Sequence, residues 1–87
     1  MASLLKQKGG DGVNIVKIIA RNIRAKRKQL DWSQETACEK CGLSVKAYGE
    51  LERGKSNPRL STLQKVLIGF EMTWGELFAG CDQIELM

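Results

Sequence analysis

Positions Val16, Ile19, Ile23, Arg27 and Leu30 follow one another at intervals of three and four. That rhythm lays them along one side of a helix running from about Ile15 to Leu30, with Asn14 placed to cap its start. Arg27 falls on the inward side, where a charge needs a partner. Asp31 and Trp32 interrupt the pattern, and Ser33 is a good N-cap for a second helix of about Gln34 to Cys41. Gly42 is the natural residue for a left-handed helix stop. Leu43 is expected to be buried in the turn, and Ser44 caps a third helix, Val45 to Arg53, closed by Gly54. Tyr48 and Leu51 share one face of that helix and should pack inward. Val45, Lys46, Gly49 and Glu50 share the other and should remain free.

A loop then carries Lys55, Ser56, Asn57, Pro58 and Arg59. Ser61 and Gln64 have capping-box spacing, which predicts a fourth helix with Leu63, Val66, Leu67 and Phe70 at i, i+3, i+4 and i+7. Thr73 and Glu76 repeat that spacing before a short last helix holding Trp74, Leu77 and Phe78, ended by Gly80. Alternation of the kind that marks a strand never persists. The expected architecture is all-α: one compact domain of five short helices, residues 13–80, between a Gly-rich arm (1–12) and a short tail (81–87).

Charge sharpens this picture. Residues 1–30 hold eight Lys/Arg against Asp11 alone, whereas residues 61–87 set Lys65 against Glu71, Glu76, Asp82 and Glu85. A basic front and an acidic back suit a protein that meets a polyanion with one side. A chain of 87 residues without histidine lacks the commonest general base and metal ligand, and leaves little room for a catalytic cleft. No enzymatic activity and no cofactor are expected. No apolar run approaches the ~18 residues of a membrane span, and the first twelve residues lack the apolar segment of a signal peptide. The expected compartment is the cytoplasm, where cysteines stay reduced.

Two helices joined by a Gly-centred turn form the geometry that supports one helix across a backbone while the next enters a groove. The segment SQETACEKCGLSVKAYGELERGKSNP, Ser33 to Pro58, resembles the Cro/lambda-repressor (Xre) helix-turn-helix family. The likeness extends from Asn14 to Phe78, and its most specific pieces are Ser33-Gln34-Glu35, Gly42-Leu43-Ser44 and Glu52-Arg53-Gly54-Lys55. The resemblance implies a lambda-repressor-like domain that binds double-stranded DNA as a regulator of transcription, a repressor working as a homodimer. It makes Ser44, Val45, Lys46, Gly49 and Glu50 the base-reading residues, and Gln34, Arg53, Lys55, Ser56, Asn57 and Arg59 the phosphate-contacting ones. It also matches Arg27 and Glu52 to a buried ion pair that is structural. Tyr48 departs from the aliphatic residue usual at its position, and Glu71 stands where a helix-ending Gly is usual.

The remaining residues have blander expectations. Cys38-x-x-Cys41 matches core positions of the second helix, so core packing is expected and no metal site, since zinc normally takes four ligands. Trp74, Leu77, Ile84 and Leu86 are the candidate dimer surface. Three rival readings stay open: an antitoxin that represses its own operon and binds a toxin, a protein-interaction module that has lost DNA, and a thiol-responsive regulator.

Overall fold

The computed structural model describes residues 15–55 and 57–81. Asn14, the N-terminal arm, Ser56 and the tail with Ile84 and Leu86 lie outside the described residues. Within them the chain is all-helical: α1 (Ile15–Gln29), α2 (Gln34–Cys41), α3 (Val45–Arg53), α4 (Leu60–Phe70) and α5 (Trp74–Leu77). Helix α1 stops one residue short of the expected Leu30. Trp32 N–H donates to the Arg27 carbonyl at 3.1 Å, and Asp31 takes the left-handed conformation at φ 64°. Asp tolerates that region through its short polar side chain.

Local chemistry sets both ends of α2 and α3. Ser33 and Ser44 accept from the backbone N–H of Thr36 and Ala47, each at 3.0 Å. Gly42 and Gly54 close the helices at φ 68° and 65°, where a Cβ would be strained. Helix α4 corrects one expectation, because it begins at Leu60, so Ser61 lies inside it rather than capping it. Its N-cap is Arg59, which offers no side-chain cap; the Arg59 carbonyl accepts from the N–H groups of Thr62 and Leu63, both at 3.0 Å, which opens the helix's own bonding. At α5 the full capping box forms between Thr73 and Glu76.

The core gathers Ile19 and Ile23 of α1, Ala37, Cys38 and Cys41 of α2, Tyr48 and Leu51 of α3, and Leu63, Val66, Leu67 and Phe70 of α4. Helix α2 packs on α4, and α3 is held by both α1 and α2. The α2–α4 crossing is close because position 69 has no side chain. A Cβ on Gly69 would stand 2.7 Å from the Lys40 carbonyl oxygen and 2.8 Å from Cys41 Cα. Beside the crossing the Trp32 ring stacks on Phe70 at 5.3 Å, with the Lys40 ammonium 5.7 Å from the indole centroid.

Helix α5 is tied down by Asn22, whose amide donates to the carbonyls of Leu77 and Ala79 at 2.7 and 2.9 Å. Leu77 itself is wholly buried. It therefore cannot line a dimer surface as expected from sequence: α5 is one turn long, and the side of it that carries Leu77 is the side that packs on α1. Trp74 remains 43% exposed, stacked on Phe78 at 5.9 Å.

Candidate nucleic-acid interface

Helix α3 has two unlike faces. Tyr48 and Leu51 point into the core, while Val45 is 66% exposed and Lys46 is exposed. A valine so placed gains little from folding, since most of its apolar surface stays in water. Ser44 is exposed in front of them, with its oxygen committed to the helix start and its hydroxyl hydrogen left to donate. Glu50 is half-buried farther along the same side. The Gly42 turn holds α2 beside this face, so the first turn of α2 and the front of α3 belong to one rigid unit.

Gly49 lies on the same side of α3 as Val45 but is itself covered. The cause lies one turn on. The Arg53 side chain folds back along α3, and a Cβ on Gly49 would be 3.1 Å from Arg53 Nη1 and 3.8 Å from Cζ. The guanidinium thus occupies the space that a side chain at 49 would fill. Arg53 itself is exposed, as are Lys55, Asn57 and Arg59 in the loop that follows.

Behind the open face lies a buried polar cluster centred on Glu52, whose side chain is 3% exposed. Arg27 Nε donates to Glu52 Oε2 at 2.6 Å, and Nη2 reaches Oε1 at 3.3 Å. The third nitrogen of the guanidinium, Nη1, donates to the Trp32 carbonyl at 2.9 Å. Tyr48 donates its hydroxyl to Glu52 Oε2, and Gln34 Nε2 donates to Oε1 at 3.0 Å. Burial pushes the Glu52 carboxyl upward, but the hydrogen bonds from Arg27, Tyr48 and Gln34 outweigh it and hold the group below the ordinary glutamate value. The hydrogen bond to Glu52 raises Arg27 against the opposing effect of its own burial. The same site raises the Tyr48 phenol, through burial first and the Glu52 carboxylate second. All members stay in the protonation states that pair best.

This cluster accounts for the unusual Tyr48: an aliphatic residue there would fill the core but leave Glu52 one donor short. It also shows what sequence reasoning missed about Gln34, whose amide faces the ion pair with one N–H. Its partner Glu52 is 18 residues away, so no local pattern announces the contact.

The two thiols of α2 sit in the core. Burial raises Cys38, and burial followed by the neighbouring Cys38 pushes Cys41 up to about 11. Thiols in that state are poor nucleophiles. Among the described residues no helix is long and apolar enough to cross a membrane.

A helix-turn-helix unit with a buried polar cluster behind its second helix and Val45 and Lys46 exposed in front defines a class, and comparison with known proteins agrees with it. The family model HTH_3, helix-turn-helix, matches residues 23–77, and the chain belongs to this family. It is 29% identical over 59 residues to the HTH-type transcriptional regulator SutR of Escherichia coli (strain K12), covering 68% of this chain but 33% of that protein. The chain thus spans about a third of SutR. An HTH_3 family transcriptional regulator from Vibrio cholerae superimposes with a TM-score of 0.72 at 30% identity, over 79% of this chain and 39% of that one. A hypothetical transcription factor, NHTF, from Neisseria matches with the same TM-score at 27% identity, covering 85% of this chain and 86% of that chain.

Proposed function

We propose that this chain binds double-stranded DNA sequence-specifically and regulates transcription, seating α3 in the major groove. One observation carries the reading: the helix after the Gly42 turn keeps Val45 and Lys46 bare on one side while Tyr48 and Leu51 anchor the other. Lys46 is suited to donate to guanine O6 or N7, and Val45 to rest on a thymine methyl. Ser44 has a hydroxyl hydrogen to offer, and Glu50 discriminates against sites that crowd it with acceptors. Gln34 keeps one amide N–H beyond the one it gives to Glu52, and with Ser33 capping Thr36 the backbone N–H groups of Gln34 and Glu35 are left at the start of α2, a favourable end for a phosphate. Lys55, Asn57 and Arg59 extend the grip on the backbone.

A single domain of this size makes few base contacts, so we read the acting form as a homodimer on a near-palindrome, half-sites about one turn (~34 Å) apart, working as a repressor. Fluorescence anisotropy with a random-sequence duplex at low salt tests the core of this. Binding is expected, and it should weaken steeply as salt rises. Lys46→Ala should then lose roughly 1–3 kcal/mol on the preferred sequence and blur one base pair, whereas Gln34→Ala should weaken all sequences alike. No binding to any duplex at low salt would overturn the proposal.

A further inference from the structure

Val45, Gly49 and Arg53 are spaced i, i+4, i+8 and form a single row along α3, the row that carries its most exposed apolar residue. Helical side chains lean toward the N-terminus, over the preceding turn. Arg53 follows that direction fully. Its Nη1, Cζ and Nη2 lie 3.1, 3.8 and 3.9 Å from where a Gly49 Cβ would be, so the guanidinium rests on bare helix backbone. Its charge is thereby carried about one turn, ~6 Å, from the end of α3 back toward Val45 and Lys46. Among the described residues its guanidinium forms no ion pair, Glu50 included, and donates no side-chain hydrogen bond. Its donors are unspent and lie on the face proposed to meet base edges.

We propose that Gly49 is a seat and Arg53 a specificity-determining residue: the missing side chain at 49 lets the Arg53 guanidinium stand in the middle of the recognition face and read a guanine. The inference rests on the DNA-binding reading above and moves Arg53 from the phosphate-contacting group, where the family resemblance had put it, to the base-reading one. The chemistry favours guanine because the planar fork of Arg matches the O6/N7 pair of acceptors, and it approaches along the row rather than from the rim. A glycine in mid-helix is a local cost of ~1 kcal/mol against Ala. The seat gives that cost a function.

The experiment is selection of duplexes from a random pool by the wild-type chain and by Arg53→Lys, Arg53→Ala and Gly49→Ala, with thermal melts to verify folding. The wild type should select a guanine at one position of each half-site. Arg53→Lys, which keeps the charge but not the fork, should lower the preference for that guanine on the order of tenfold, a larger loss than it causes on random duplex. Arg53→Ala should abolish the preference. Gly49→Ala must displace the tip of Arg53 by a few tenths of an ångström, and should weaken the same preference severalfold even as it raises the melting temperature. If both Arg53 variants lower affinity equally on every duplex and select an unchanged sequence, Arg53 is a phosphate contact and the inference is overturned. An unchanged guanine preference in Gly49→Ala overturns the seat. A wild-type chain that binds no duplex fails at the earlier reading, a result distinct from either.

Discussion

Replacing Arg27 by Met tests the buried cluster that holds α1, α2 and α3 in register. The substitution removes two charge-assisted hydrogen bonds from Glu52, at 2.6 and 3.3 Å, and one from the Trp32 carbonyl. Tyr48 and Gln34 still donate to the carboxylate, but its charge is left in a site that is 3% exposed. Breaking a buried pair by removing one partner costs about 3–5 kcal/mol. The two remaining donors place this case near ~3. A chain of this length is stable by only roughly 4–13 kcal/mol in total, so the loss is a large fraction, equivalent to on the order of 12–24 °C in Tm.

The deficit should also depend on pH, with a sign fixed by the carboxyl. In the wild type Glu52 titrates below the ordinary 4.5, so the unfolded chain binds more protons just below that value. Its contribution is present above pH 4.5 and is lost as pH falls through the lowered native value. In R27M the largest of the effects that lower Glu52 is gone while burial persists, so its value rises and the native state takes up the proton first. The gap between variant and wild type should therefore be widest near pH 7 and shrink as pH falls toward 4. Urea unfolding followed by tryptophan fluorescence at several pH values measures both. A loss below ~1 kcal/mol at pH 7, or a gap that does not change with pH, would refute the reasoning. Adding Glu52→Gln to R27M should recover part of the loss, because it removes the stranded charge.

Three further substitutions or treatments have definite expected outcomes. Gly69→Ala must push a methyl against the Lys40 carbonyl and Cys41; urea unfolding should show a loss of about 1–3 kcal/mol despite the better helix propensity of Ala. Glu71→Gly should go the other way, since Glu71 closes α4 at φ 56°; a gain of up to ~1 kcal/mol is expected by thermal melting, and a loss would mean the glutamate makes a compensating contact. Cys38 and Cys41 should resist a disulfide reagent at pH 8 in the native state and react fully in urea, because both are buried and Cys41 titrates at about 11. Rapid native labelling of either would revive the thiol-responsive reading.

Much of the fold is written in short-range terms. The bounds of α2 and α3 could be read from Ser33, Gly42, Ser44 and Gly54, because caps and left-handed stops act within four residues. The inward residues of α4 follow from helical period alone, and so does the anomaly of Arg27 on a buried face. Even the capping box of Thr73 and Glu76 is a local pattern. The start of α4 was not legible at Ser61, since no side chain caps that helix and it opens one residue earlier, at Leu60.

What only the tertiary structure decided depends on partners far apart in the chain or on the path of a long side chain. Helical period put Leu77 on a face but not against α1, and only packing made it core rather than surface. Gly69 looks like a weak point of α4 until Lys40 and Cys41 press against it from α2. Gln34 and Tyr48 converge on Glu52 because three helices bring them there. Arg53 closes α3, yet its guanidinium folds back over Gly49 toward the middle of the helix, since the rotamer of an exposed arginine is set by the room its neighbour leaves. Sequence determined which groups are present and which way each helix turns them; the meeting of helices determined which of those groups are spent and which remain free to act.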